Sequence, residues 1–324
     1  MKVGLCLPNT HVTLAEPATM VAVAQQAESG GFDSLWVNDH IVVPAADVDG
    51  AGDRQAQYLD RREQMILEPT VLLSYLAACT QRITLGTSVL VLALRNPVVA
   101  AKQIATLDVM SGGRVVLGVG VGWMQAEFGA VGVPWGERGR RTDLALRVAT
   151  SLWGDHPVGD TGPYDLDGVV FNPRPQQQPR PPIWIGGRTD IGARRAVALG
   201  DAWHPSHLTL DELGGARTRL DQLCEAAGRP RADVALTTRR RVLPSGGRLD
   251  PLPERRALGG SSAAIVEDLD AIARRGVSHI ILELDASSPE ELRDRIDRLS
   301  AEVLPAVTGP PVPAGDGPAR AGRL

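Results

Sequence analysis

Lysine is almost missing from this chain. Lys2 and Lys102 are the only two in 324 residues, so arginine carries the positive charge, and 34 Lys+Arg against 38 Asp+Glu leave a formal net charge of −4. That balance offers no basic surface for nucleic acid or an acidic membrane. Cysteine is scarce as well. Cys6, Cys79 and Cys224 stand among apolar residues, odd in number and without metal-ligand spacing; a complete disulfide set is excluded, and a reduced, cytoplasmic setting is expected. No apolar run approaches the length of a membrane span. The early one is broken by Pro8-Asn9 and does not read as a secretory signal. His156, His207 and His279 form no ligand pattern with cysteine or acids, so no metal is expected. A dinucleotide fingerprint is missing too. The run SGGRVVLGVGVGW, Ser111–Trp123, would need glycine at 123 or 125, where Trp123 and Gln125 stand.

What is present is a repeating unit. At 43% hydrophobic residues the chain can bury a large core. Val3–Leu7 reads as a buried strand leaving through Pro8–His11, and Pro17 opens a helix that Gly30-Gly31 stops. Ser34–Val37 is a second strand ending in Asn38-Asp39-His40, and the acidic part of the following irregular stretch, Asp47–Asp60, reads as a lid. After a helix from Pro69 to Cys79 comes a third strand, Ile83–Leu92; Asn96-Pro97 then caps a helix that ends at Gly112. Val115–Val121 is the fourth strand, and Arg141–Trp153 a helix. Beyond a proline-rich insertion, Asp155–Pro182, the alternation resumes with strands at Ile183–Ile185, Ala202–Trp203, Val234–Val242 and Ile280–Leu284. Between them lie helices ending at Gly200 and spanning Asp211–Ala227 and Ala263–Arg275. Ser288-Pro289-Glu290-Glu291 reads as a capping box opening the last helix. Strand then helix, eight times, predicts a closed (β/α)8 TIM barrel with insertions in its strand-to-helix loops. An open doubly wound sheet has fewer repeats and a phosphate fingerprint after its first strand. The barrel is expected over residues 1–304, with a Pro/Gly/Ala-rich disordered tail at 305–324.

In such a barrel the functional face lies where strands hand over to helices. That face draws on Asn9–His11, Asp39-His40, Ser88–Leu94, Gly120–Trp123, Gly186–Arg188, His204 and Pro244–Gly246. Asp39-His40 suits a pair oriented for proton transfer, since histidine titrates near neutrality; equally, the aspartate can cap the next turn beside an incidental histidine. Gly186-Gly187-Arg188 at a helix start offers backbone N–H groups, the positive end of the helix dipole and a guanidinium to an anion, or is an ordinary strand-to-helix turn. Glycines inside the Val115–Val121 strand weaken it. Gly120 and Gly122 therefore either admit a ligand or make room for a neighbouring strand. His11 and His204 are pocket candidates only, and Arg138, Arg140 and Arg141 read as a solvated helix start.

Three stretches taken together resemble the luciferase-like oxidoreductases, and more specifically the actinobacterial branch that uses the deazaflavin coenzyme F420. They are GFDSLWVNDH at 31–40, RITLGTSVLVLALRNPVVAAKQIATLDVMSGGRVVLGVGVGW at 82–123, and PPIWIGGRTDIGARRAVALGDAWHP at 181–205. The resemblance implies a (β/α)8 barrel holding F420, or alternatively FMN, at the carboxyl ends of its strands. It further implies a non-prolyl cis peptide at Ser88-Val89 whose bulge supports one face of the ring. His40 matches the histidine that approaches the deazaflavin, Asp39 its acidic neighbour, and Gly186, Gly187 and Arg188 the loop for the phosphate tail. Gly120, Gly122 and Trp123 are expected to contact the cofactor too, the glycines where they admit its ring or ribityl chain. Members that oxidise sugar phosphates carry glutamate where Trp123 stands and a phosphate-binding lysine where Thr209 stands; Trp123 instead offers a wall to an apolar or aromatic substrate. The expected function is hydride transfer between F420 and a small organic molecule. The alternatives are an FMN-dependent monooxygenase, a cofactor-binding protein without catalysis, and an unrelated barrel lyase or isomerase that uses the Gly186 loop for a substrate phosphate. Expected partners are a small-molecule substrate and a second copy of the chain, with neither nucleic acid nor membrane.

Overall fold

The computed structural model describes residues 1–10, 14–43, 66–154, 160–243 and 256–308. His11, the acidic stretch Asp47–Asp60, Pro244–Gly246 and the tail beyond 308 lie outside the described residues.

The strands are β1 (Lys2–Cys6), β2 (Ser34–Val37), β3 (Thr84–Thr87), β4 (Leu90–Val91), β5 (Val115–Gly120), β6 (Ile183–Gly186), β7 (Ala202–His204), β8 (Ala235–Val242) and β9 (Val277–Leu284). They form one sheet in the order β3-β2-β1-β9-β8-β7-β6-β5-β4, closed by a further β3–β5 pairing. Every pairing is parallel. Because β3 and β4 both pair with β5, they are two pieces of one barrel strand, and the ring is the expected closed eight-stranded barrel. The third strand, predicted as continuous over Ile83–Leu92, breaks at Ser88-Val89, where the peptide bond is cis.

Local chemistry sets most helix ends. Asn96 accepts from the N–H groups of Val98 and Val99, Pro97 occupies the first turn, and Gly112 closes the same helix at φ +75°. The capping box expected at Ser288 is only half made. Its hydroxyl accepts from Glu291 N–H, but Glu291 reaches back to Ser287 rather than to Ser288. A complete box stands instead at Thr209 and Glu212. Two helices were not expected: Gln125–Val131, directly after β5, and Leu304–Thr308, which begins on a buried Leu304 and so continues the folded part past residue 304.

The barrel's interior is plugged by aromatic bulk. Trp36 of β2 stacks on Trp184 of β6 with ring centroids 4.4 Å apart. Gly4 and Gly86 face Trp36, and a Cβ on Gly4 would lie 2.6 Å from Trp36 Nε1. Ser34 Oγ accepts from Trp36 Nε1 at 2.7 Å and meets His279 Nε2 at 2.8 Å. A second, larger apolar layer fills the space between strands and helices.

Candidate active site

The β2 strand ends in three polar residues, each fixed by a different neighbour. Asn38 donates its backbone N–H to Asn9 Oδ1 at 2.9 Å, and its Oδ1 accepts from Arg239 Nη1 at 2.5 Å. Asp39 is buried and grips Arg95 with both oxygens, at 2.6 and 2.8 Å, while accepting from Val91 N–H at 2.8 Å. His40 Nδ1 lies 3.3 Å from Glu127 Oε2, both side chains being buried. The geometry therefore separates the two members of the expected pair. Asp39 is committed to Arg95 and ties β2 to β4, whereas the carboxylate beside His40 is Glu127, from the unexpected helix after β5. Its other oxygen accepts from Ile41 N–H at 2.5 Å. Trp123 stands edge-on to His40, with ring centroids 5.7 Å apart, and is 40% exposed.

The cis Ser88-Val89 bulge sits at the same end of the barrel. Its backbone carbonyl at Ser88 accepts from Arg239 Nη1 at 3.0 Å, and Ser88 Oγ meets His204 Nε2 at 3.1 Å. The same stretch explains the glycines of and beyond β5: a Cβ on Gly118 would run into the Thr87 carbonyl. A side chain on Gly120 would overlap Val89 Cγ2, and one on Gly122, which is held at φ +78°, would come within 2.6 Å of Phe128. These two glycines thus make room for the protein's own side chains. To a ligand they offer backbone alone.

Arg239 knits the floor together. Beyond Asn38 and Ser88, its guanidinium pairs with Glu283 of β9 at 2.8 and 3.0 Å. Burial acts to raise the Glu283 pKa, but the charge of Arg239, with His207 and Arg241, outweighs it and holds this carboxyl below its usual range. Burial, reinforced by the Arg239 charge, pushes His204 down to about 3. With Nδ1 on Thr237 Oγ1 at 2.8 Å and Nε2 on Ser88, His204 is a neutral structural ring rather than a pocket residue.

Gly186-Gly187-Arg188 leaves β6 with Gly187 at φ +115° and its carbonyl accepting from Trp203 Nε1 at 2.7 Å. Thr189 stands at the N-terminus of the helix that follows, Asp190–Leu199, without a side-chain capping bond. Arg188 Nη2 is 3.5 Å from Glu212 Oε1, at the outer limit of a hydrogen bond. Glu212 is held more firmly by Arg256, at 2.6 and 3.0 Å, which with its capping bond to Thr209 N–H draws its carboxyl down to about 2. The Thr209 hydroxyl is spent on its helix cap. Arg138, expected to be solvated, lies over the Trp135 ring at 3.8 Å, and Arg141 donates to Ala93 O at 3.1 Å. Among the described residues no group of three or more His, Cys, Asp or Glu is placed to hold a metal ion, and no helix is long and apolar enough to cross a membrane.

Sequence reasoning missed Glu127, Arg95, Arg239 and Glu283. A signal existed for Arg239: three consecutive arginines, Arg239–Arg241, stand in a strand that is otherwise apolar or hydroxylic, and charges at buried strand positions need partners. Glu127 gave none, because its helix is only seven residues long and is closed by Gly132.

Comparison with known proteins agrees with this architecture. A family model described as luciferase-like monooxygenase matches residues 1–248. A Mycobacterium tuberculosis protein of uncharacterised function is 30% identical over 88% of this chain and 94% of its own length. The F420-dependent glucose-6-phosphate dehydrogenase of Kineococcus radiotolerans is 34% identical over 58% of this chain, which spans 52% of that enzyme. The FMNH2-dependent dimethylsulfone monooxygenase of Pseudomonas putida is 28% identical over 60% of this chain and 52% of its own. Among solved structures, an F420-dependent secondary alcohol dehydrogenase in complex with an F420-acetone adduct superposes with a TM-score of 0.76 at 20% identity, over 94% of this chain and 98% of that one. With the family model covering most of its length and the barrel closed as such a fold requires, this chain belongs to the luciferase-like monooxygenase family of oxidoreductases.

Proposed function

We propose that this oxidoreductase binds F420 non-covalently at the barrel mouth and passes hydride between it and a small apolar or aromatic organic substrate. The observation that carries the proposal is the placement of His40. A titratable ring, backed by a buried carboxylate and edged by an exposed tryptophan, sits at the strand ends beside the Ser88-Val89 bulge.

The residues fit a flat ring with an anionic tail. Ile41 and Val42, which follow His40, are 43% and 41% exposed, and with Trp123 they put apolar side chains at the rim. Arg188 supplies a guanidinium only loosely held by Glu212, next to a Gly187 backbone whose φ excludes a side chain. Ser88 and Val89 would support the ring, and Gly186, Gly187 and Arg188 its tail. When bound, F420 supplies two-electron hydride chemistry at its ring. The protein's contribution is placement, exclusion of water by the apolar rim, and a proton held or accepted at the His40 imidazole. Trp123 in place of an acid, together with a Thr209 already used as a cap, supports an apolar acceptor over a sugar phosphate.

The FMNH2-dependent relative supports a second reading, an FMN-dependent monooxygenase using the same mouth. Fluorescence titration with F420 and FMN in parallel separates them. Tight binding of F420 is expected; binding of FMN alone, with oxygen uptake when a flavin reductase is supplied, overturns the F420 assignment. We further propose a cytoplasmic location, in keeping with three unpaired cysteines, and a homodimer.

A further inference from the structure

Glu127 is a carboxylate with 1% side-chain exposure, and a buried carboxylate persists only where both oxygens are satisfied. One oxygen accepts from the backbone N–H of Ile41 at 2.5 Å; the other faces His40 Nδ1 at 3.3 Å. The Ile41 N–H is a fixed donor, so it locks the carboxylate in place. The remaining oxygen is an acceptor only, and the neighbouring ring nitrogen must present a proton to it. Asp39, the preceding residue, is engaged instead by Arg95 and Val91.

We infer that Glu127 is a positioning residue that holds neutral His40 as the Nδ1–H tautomer, leaving Nε2 as its basic nitrogen. A proton taken up at Nε2 would then be stabilised by a charge already in place, the logic by which a carboxylate orients and supports an imidazole base. This inference rests on the proposed role of His40 only for its catalytic consequence; the tautomer itself is a property of the protein without any ligand.

The test begins with the full chain labelled with 15N-histidine, at about pH 8.5, where histidine rings are ordinarily neutral. His40 is assigned by the signal lost in His40→Gln among the six histidines. The expected pattern is a protonated Nδ1 and an unprotonated Nε2. In Glu127→Gln the amide oxygen can keep the Ile41 N–H while the amide nitrogen now donates to Nδ1, so the ring is expected to switch to the Nε2–H form. Glu127→Asp retains the charge, and the original tautomer is expected to dominate. An Nε2–H ring in the wild-type spectrum overturns the inference without any variant having to fold, and so does an unchanged tautomer in folded Glu127→Gln.

Turnover separates this from the proposed function. Glu127→Gln is expected to lower kcat by about 10–100-fold, a fraction of the ~10²–10⁴-fold that acid–base catalysis contributes because the His40 ring itself remains, with cofactor affinity unchanged and no further loss in a His40→Gln background. If the tautomer switches while kcat stays unchanged, Glu127 still orients the ring, and it is His40 as proton carrier that is refuted.

Discussion

Replacing Arg95 by methionine should destabilise the barrel far more than an ordinary surface arginine would. Asp39 has 1% side-chain exposure and Arg95 12%, and two of the three hydrogen bonds to Asp39 come from that guanidinium. Burial alone acts to release the Arg95 proton; the bonds and charges of Asp39, then of Glu68, reverse this and hold its pKa above the usual value. In Arg95→Met the buried carboxylate keeps only Val91 N–H of its three hydrogen bonds. Breaking a buried pair in this way costs about 3–5 kcal/mol, most of it from the stranded charge. At about 2 cal/mol/K of unfolding entropy per residue, a 324-residue chain loses roughly 4–7 °C in Tm. Differential scanning calorimetry of wild type, Arg95→Met, Asp39→Asn and the double variant is the assay. Because the double variant no longer buries a lone charge, it should recover more than half of the Arg95→Met loss. A cost below about 1 kcal/mol for Arg95→Met, or a double variant as unstable as the sum of the singles, would show that the pair is not what fixes the end of β2. The same series bears on chemistry: folded Asp39→Asn should retain most of the wild-type kcat, whereas a direct role in proton transfer demands a loss of about 100-fold or more.

Other outcomes follow from the same geometry. Gly120→Ala should cost about 1–3 kcal/mol in urea unfolding, because its methyl overlaps Val89 Cγ2, and Gly120→Ala/Val89→Ala should regain part of that loss. His204 and His279 are both held near 3 in the folded chain, by burial first and then by the charges of Arg239 and Lys2 respectively, against an ordinary value of 6.5. Below 6.5 the unfolded chain takes up protons that the folded chain refuses, so stability is full above that pH and falls as pH drops toward 3. The slope is about 1.4 kcal/mol per pH unit for each ring, and His279→Gln should flatten it between about pH 6.5 and 5; stability that rises on acidification in that window contradicts the assignment. Trp123→Ala should raise KM for aromatic acceptors about 5–10-fold, the equivalent of roughly 1–1.5 kcal/mol of ring contact, while leaving cofactor affinity unchanged.

The family neighbourhood fits these expectations without dictating them. A sugar-phosphate dehydrogenase and a sulfone monooxygenase share about a third of their residues or less with this chain over the aligned part. Substrates as different as these are handled on one barrel because the chemistry sits on strand ends and loops, which change without disturbing the strands beneath.

The alternation of apolar strand and capped helix was enough to specify a closed barrel, because each element's period, cap and stop signal is local: Asn96, Pro97 and Gly112 delimit their helix by contacts within a few residues. The same local signals placed His40, Trp123 and the Gly186–Arg188 loop at strand ends. What they could not supply was partnership across the ring. Asp39 and His40 are neighbours in sequence, yet their partners, Arg95 and Glu127, lie 56 and 87 residues further along. Arg239 reaches Asn38 and Ser88 only because the barrel closes and brings β2, β4 and β8 to one rim, while its pairing with Glu283 and the spacing of Gly120 from Val89 follow from neighbouring strands. Backbone form is written locally in this chain. Which charge answers which is decided by closure, since a buried ion takes whatever partner the strand order puts within reach.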